Sequence, residues 1–307
     1  MKRWISERLA QNASNEWGAA GRAWVERLPA LIESVCRDWK LKRLAHPYPD
    51  AQYNFVAPAE GQDGRDFVLK IGLTNLPEAD LERETAALIA YDGQGAVRLI
   101  RSCTKRGALL LERAQPGTPL AQERDEEHAT RTAARIMRTL WQPAPATTPF
   151  RLVATWAQQR MTMEALPSDI EPELVDRARA LLADLLNAND RPVLLHGDLH
   201  HWNILQNADG PSYVAIDPKG YCGPPLYDVI AWLRNWPLGL DATTDARQAM
   251  RSRIGWLADE LDYPPTQIAG WGFAGLLLDA CWDMHNDPRD AYAAHQLHCA
   301  LSLSPLI

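Results

Sequence analysis

No stretch of this sequence approaches the roughly 20 consecutive apolar residues that a membrane-spanning helix needs. The first residues, Met1-Lys2-Arg3-Trp4-Ile5-Ser6-Glu7-Arg8, lack the apolar core of a secretion signal. Cysteine is sparse: five in 307 residues (Cys36, Cys103, Cys222, Cys281, Cys299), an odd number with no C-x-x-C pair. Widely scattered single cysteines argue for reduced thiols, not a disulfide framework. These absences together predict a soluble cytoplasmic protein that contacts no membrane. Two ligand signatures are missing as well. There is no G-x-x-x-x-G-K-[ST] loop and no H-E-x-x-H, so Walker-type phosphate binding and zincin chemistry lose their usual markers. No internal repeat is visible.

The chain is long enough for two compact units or one two-lobed enzyme, and its apolar fraction of 46% suffices to bury a core. Its charge is uneven. Residues 196–307 carry 13 acidic and 6 basic side chains, which equals the whole chain's net charge of −7. An acidic cleft there would concentrate a cationic small molecule and repel nucleic acid. A merely solvated acidic surface accounts for the same numbers.

That acidic segment holds the most informative run, His196-Gly197-Asp198-Leu199-His200-His201-Trp202-Asn203, followed by Ile216-Asp217-Pro218. Asp198 and Asn203 are five apart, as in the phosphotransferase signature H-R-D-x-x-x-x-N, and Asp217 stands where the D of D-F-G falls. In that chemistry the first Asp accepts the acceptor's hydroxyl proton, and the Asn and second Asp hold magnesium on ATP. The match is partial, with Gly197 in place of Arg and Pro218-Lys219 in place of Phe-Gly. Asp and Asn also cap turns, and His196, His200 and His201 could be read as metal ligands. No second Cys/His cluster completes a zinc site, however.

The pattern of elements agrees with a kinase reading. Residues 1–38 look helical, with Pro29 expected to break or kink the helix. Strands are expected at 39–45, 53–57 and 67–71, the last two joined by a hairpin turn at Glu60-Gly61-Gln62-Asp63-Gly64. A helix at 77–91 follows, with Leu81, Leu88 and Ile89 on one stripe, then strands at 97–101 and 108–112. Pro116-Gly117-Thr118-Pro119 should end the strand pattern and mark the crossing into a helical lobe. Helices are expected at 123–140, 172–189, 226–236, 244–261 and 265–286, with a loop at 143–149. The fold class is thus α+β and two-lobed. A small β-rich N-lobe spans 1–114 and a larger helical C-lobe spans 115–307.

Phe67-Val68-Leu69-Lys70-Ile71 resembles the V-A-I-K strand. Strand alternation places Lys70 on the face opposite Phe67, Leu69 and Ile71. Lys70 would contact phosphates and needs an acidic partner. Of Glu78, Glu82 and Glu84, only Glu84 shares the inward stripe with Leu81 and Leu88, whereas Glu82 turns outward. An exposed Lys and Glu is the plainer alternative. Leu109-Leu110-Leu111-Glu112-Arg113-Ala114 occupies the hinge position, where backbone groups near Glu112 and Ala114 could bond adenine.

These segments, with Gly95-Ala96-Val97-Arg98-Leu99, Leu195-His196-Gly197-Asp198-Leu199-His200-His201, Ala215-Ile216-Asp217-Pro218-Lys219-Gly220 and Tyr227-Asp228, make the chain resemble the aminoglycoside/hydroxyurea phosphotransferase family over about residues 50–236. The resemblance implies a protein-kinase-like fold, ATP with Mg2+, and transfer of the γ-phosphate to a small-molecule hydroxyl. It implies Asp198 as base, Asn203 and Asp217 as metal ligands, and Lys70 on the phosphates. It also implies that His196 and Asp228 brace the catalytic loop. One departure is Pro224, where relatives often carry an acidic residue. That puts the acceptor in doubt more than the chemistry. An aminoglycoside such as streptomycin is the leading acceptor, with hydroxyurea, another metabolite, or a silent kinase-like binding module as alternatives. On the acceptor side Asp279 and Asp283 are candidate cation partners beside Trp282, although Trp271 and Trp282 at helical spacing also suit a core. The expected assembly is a monomer or weak dimer.

Overall fold

The computed structural model describes residues 4–49, 51–74, 81–144, 149–163, 166–167, 170–188, 191–208, 210, 212–235, 245–287 and 289–307. The chain divides into two compact units, Met1–Gln115 and Pro116–Ile307.

In the first unit the helix α1 (Glu7–Asp38) begins at Ser6, whose hydroxyl accepts the Leu9 N–H. The expected break at Pro29 is absent. Helical dihedrals run through Pro29, and the single departure is Gly18, at φ 54° and ψ −125°. Leu28 and Ile32, on either side of Pro29, are both buried, so packing holds that turn in place. Glycine has no Cβ and adopts positive φ at little steric cost.

The strands β1 (Leu41–Leu44), β2 (Phe55–Gly61), β3 (Asp66–Ile71), β4 (Leu99–Cys103) and β5 (Ala108–Glu112) form one antiparallel sheet in the order β1-β2-β3-β5-β4. Phe55, Ala57, Ala59, Phe67, Leu69 and Ile71 alternate inward and share one core with Trp24, Leu28, Ile32 and Val35 of α1. The helix α2 (Leu81–Tyr91) lies between β3 and β4 in sequence, and the expected helix start at 77–80 is outside the described residues. Ile89 leaves the expected stripe and is 62% exposed. At about 100° per residue, the buried set Leu81, Glu84, Thr85, Ala87, Leu88 and Tyr91 covers one arc, and Ile89 falls beyond its edge.

The second unit opens with β6 (Pro116–Pro119). The Pro-Gly segment expected to end the strand pattern is itself a strand, on the edge of a three-stranded sheet with β10 (Ile204–Asn207) and β11 (Tyr213–Ala215). An edge strand tolerates the N–H that each proline lacks. A second small sheet orders β7 (Gln142–Pro143), β9 (Val193–Leu195), β12 (Tyr221–Gly223) and β8 (Arg151–Leu152). Around these pack α3 (Glu126–Leu140), α4 (Val153–Met161), α5 (Pro172–Leu186), α6 (Val229–Arg234), α7 (Ala246–Leu261), α8 (Pro265–Asn286) and α9 (Ala291–Leu303). The expected helix at 226–236 is shorter: residues 225–228 form a 3-10 turn before α6, and residue 236 lies outside the described residues, as do 145–148 of the expected loop. The sequence reading missed α4 and α9. The first has only nine residues, and in α9 apolar residues fall on every side, so no stripe stands out.

Candidate active site

Strand pairing builds the second unit's polar centre. In the β10–β11 hairpin Ile204 faces Ala215, so Asn203 and Ile216 meet at its open end, where the Ile216 N–H donates to the Asn203 carbonyl at 2.9 Å. Asn203 and Asp217 are therefore brought together by register. The neighbouring pair β9–β12 sets Leu195 against Tyr221, and the Lys219 N–H donates to the His196 carbonyl at 2.7 Å. The loop from His196 to Asn203 is thus tied at both ends to the segment carrying Asp217.

Asp228 fixes the start of that loop. Its carboxylate accepts the His196 N–H (3.2 Å), the Gly197 N–H (2.7 Å) and the Trp141 Nε1–H (3.2 Å). Burial pushes this carboxyl up to about 6, against the pull of those donors. His196 is fully buried; its Nδ1 accepts the Asp198 N–H at 3.3 Å and its Nε2 lies 2.9 Å from the Ile216 carbonyl. That pattern places the proton on Nε2, and burial drives the imidazole down to about 4. Gly197, where the signature has Arg, sits at φ +81°, and a Cβ there would lie 2.4 Å from Cδ2 of Tyr221. Only glycine fits this turn.

Asp198 stays partly open. Burial would raise its carboxyl, but His200, Arg234, Lys219 and His196 lower it, and the net shift is downward. Arg234 Nη2 donates to Oδ1 at 2.9 Å, and His200 Nε2 lies 3.7 Å from Oδ2. The Asn203 Nδ2 donates to the Asp198 carbonyl at 3.0 Å, which commits the amide nitrogen and turns the amide oxygen to other work. Asp217 has φ 61°, a left-handed conformation rare outside glycine, and its Oδ2 pairs with Lys219 Nζ at 2.7 Å. An amide oxygen and a carboxylate suit Mg2+, a hard cation that takes one or two protein oxygens and completes its shell with phosphate and water. Among the described residues no group of three or more His, Cys, Asp or Glu forms a metal cluster.

In the first unit Lys70 Nζ and Glu84 Oε2 are 2.6 Å apart, with side chains only 6% and 3% exposed. The exposed alternative for this pair is thereby removed, and Glu82 is indeed on the surface. Glu112 ends β5. Its N–H donates to the Arg98 carbonyl at 2.9 Å, and its carboxylate accepts the Arg98 N–H at 3.1 Å. Ala114 is buried just beyond it. Gly61 and Gly64 close the β2–β3 turn, with the Gly61 N–H on the Arg65 carbonyl at 2.9 Å.

Asp279 has internal partners. It accepts Trp156 Nε1–H at 3.1 Å and Arg160 Nε–H at 3.0 Å, and the Arg160 guanidinium lies 4.5 Å from the Trp282 ring centroid. The cation expected beside Asp279 and Trp282 is therefore present as the chain's own arginine. Asp283 is half-buried; burial, then the charges of Asp279 and Asp290, raise its carboxyl. Trp271 belongs wholly to the core. Pro224 is half-buried, and its carbonyl accepts the Tyr227 N–H at 3.1 Å. Sequence reasoning passed over Arg234, because an arginine in the last turn of a helix reads as a charge complementing the helix dipole. Arg160 went unnoticed with α4.

Comparison with known proteins agrees with this geometry. The model of the aminoglycoside/hydroxyurea antibiotic resistance kinase family matches residues 39–287. A streptomycin 6-kinase from Streptomyces griseus is 32% identical over 308 residues, covering 98% of this chain and 97% of that protein. A hydroxyurea phosphotransferase from Kitasatospora aureofaciens is 32% identical over 287 residues, covering 88% and 77%. Among solved structures, choline kinase LicA from Streptococcus pneumoniae superposes with a TM-score of 0.61 at 13% identity, covering 91% of this chain and 99% of that one. At that identity the likeness speaks to the fold alone, which is protein-kinase-like.

Proposed function

The chain belongs to the aminoglycoside/hydroxyurea antibiotic resistance kinases, and from that premise we propose that it phosphorylates a hydroxyl of a cationic, streptomycin-like aminoglycoside. It is a small-molecule kinase that uses ATP. The observation carrying the residue roles is the hairpin register that joins Asn203 to the Asp217 segment beside Asp198.

Asp198 orients the acceptor hydroxyl and takes its proton as the new O–P bond forms and the bond to ADP breaks. Asn203, through its amide oxygen, and Asp217, through its carboxylate, would hold Mg2+. When bound, that ion neutralises charge on the triphosphate. Lys70, steadied by Glu84, contacts phosphate oxygens, and backbone groups at Glu112 and Ala114 meet adenine. Asp228 and His196 keep the loop in its working shape. Most of the rate then comes from positioning and charge, with no covalent enzyme intermediate. Asp283 is the acceptor-side carboxylate we favour, with Asp279 holding Arg160. Because each chain carries all of these residues, we take the monomer as the working unit. Cysteines that form no disulfide among the described residues, together with the use of ATP, suit a cytoplasmic reaction.

The acceptor reading rests on the near full-length match to the streptomycin 6-kinase and on the acidic surplus of residues 196–307. Hydroxyurea is the second reading, favoured by the equal identity to a hydroxyurea phosphotransferase. The test is ADP release from Mg·ATP with streptomycin, with hydroxyurea and with neither, for the wild type and Asp198→Asn. Streptomycin-dependent release that falls by at least about a hundredfold in the variant is expected. Near-normal turnover by Asp198→Asn would refute the base. Release with hydroxyurea alone would overturn the acceptor.

A further inference from the structure

Arg234 is 16% exposed at its side chain, a position where an unpaired guanidinium is costly. Among the described residues, its one side-chain hydrogen bond goes from Nη2 to Asp198 Oδ1 at 2.9 Å, and its Nε is buried without a hydrogen-bond partner. The guanidinium carbon lies 5.3 Å from the ring centroid of Tyr292, at the start of α9. The backbone is pinned separately, with His295 Nε2 of α9 2.7 Å from the Arg234 carbonyl. Such a side chain gains little by structural bonding elsewhere. Its charge is answered chiefly by Asp198.

The other oxygen is treated differently. The Trp202 N–H donates to His200 Nδ1 at 3.2 Å, and His200 Nε2 lies 3.3 Å from Asn203 Nδ2 but 3.7 Å from Asp198 Oδ2, beyond hydrogen-bond length. Oδ1 is committed and Oδ2 is not.

We propose that Arg234 is a positioning residue. It holds Oδ1 of Asp198, with Tyr292 holding Arg234, so that Oδ2 alone is presented to the acceptor hydroxyl. A carboxylate free to rotate would offer either oxygen and would also admit a two-pronged grip by a guanidinium group of the acceptor. With Oδ1 occupied, that unproductive grip is blocked and one near-attack geometry is selected. The inference rests on the reading of Asp198 as the base.

The experiment compares Arg234→Met with wild type in kcat, KM for ATP and thermal midpoint, with and without tens of millimolar guanidinium chloride. Sodium chloride at equal ionic strength is the control. The expected result is a kcat loss of about tenfold to a hundredfold with KM for ATP changed less than about twofold. Guanidinium should restore about fivefold or more by refilling the place on Oδ1, and sodium should not. An unchanged kcat overturns the proposal, as does a loss that guanidinium fails to restore. Should Arg234→Met fail to fold, Tyr292→Leu removes the ring and leaves the guanidinium. The same split between kcat and KM is then expected at smaller size, and an unchanged kcat again overturns it. Wild-type turnover with streptomycin is measured first. Its absence refutes the acceptor reading, and Arg234 is then tested on ATP hydrolysis without acceptor.

Discussion

The region around the loop from His196 to Asn203 and the helix α8 both place carboxylates among polar partners, yet they satisfy them by different means. In the loop, backbone groups do most of the holding. Asp228 takes two successive main-chain N–H groups, His196 spans from the Asp198 N–H to the Ile216 carbonyl, and Asn203 returns to the Asp198 carbonyl. On α8, side chains hold side chains: Asp279 grips Trp156 and Arg160 of α4, 119 residues away for the arginine. Asp198, Asn203 and Asp217 keep the offsets of a known signature, so spacing reveals them, whereas Asp228, 31 residues from Gly197, was legible only through the family resemblance. Partners on another helix are set by packing, which spacing does not carry. The difference also fixes what each region tolerates, because losing an acid from the loop strands buried main-chain donors, whereas losing one from α8 strands a partly exposed arginine.

The sharpest way to break this comparison is to remove Asp228. Asp228→Ala leaves the N–H groups of His196 and Gly197 and the Trp141 Nε1–H without their acceptor. At about 1–3 kcal/mol for each unsatisfied buried donor, partly offset by no longer burying a carboxylate, a stability loss of about 3 kcal/mol is expected, together with collapse of kcat. Urea unfolding and ADP release measure the two effects. A variant with unchanged stability and activity would mean that the loop holds its own shape.

Asp279→Ala probes the other side. If Asp279 serves Arg160 and Trp156, stability falls by about 2 kcal/mol and KM for the acceptor moves less than about threefold. If Asp279 serves the acceptor instead, KM rises steeply and the thermal midpoint stays put. Arg160→Met should reproduce the stability loss in the first case only.

These two regions also explain what the sequence disclosed. The run from His196 to Asn203 and Asp217 stood out because strand register and loop closure demand fixed spacings, and Gly197, an apparent mismatch, follows from the ring of Tyr221 behind it. Glu84 was separable from Glu82 because 3.6 residues per turn leave one arc facing inward. The same arithmetic, applied loosely, misplaced Ile89. Pro29 misled because buried neighbours outweigh one missing hydrogen bond, and Pro116 to Pro119 misled because an edge strand does not need every N–H. Arg160, Arg234 and Tyr292 were illegible for a common reason. Each acts through a partner more than 30 residues away, on a separate element.

The smallest expected effect follows from the loop's buried imidazole. His196 stays neutral in the fold because burial lowers it from the ordinary 6.5 to about 4, while in the unfolded chain it titrates near the ordinary value. A folded-state value below the unfolded one means that only the unfolded chain binds the proton in this window. The stability owed to neutral His196 is therefore complete above 6.5 and is lost as pH falls toward about 4. Asp228 runs the opposite way, since its raised carboxyl keeps a proton in the fold up to about 6. Comparing wild type with His196→Gln cancels Asp228 and every other shared group. The wild type should lose about 1.4 kcal/mol per pH unit more than the variant across that window, by urea unfolding. Parallel curves would mean that His196 already carries the extra proton in the folded protein, and the Asp198 N–H would then need a different acceptor.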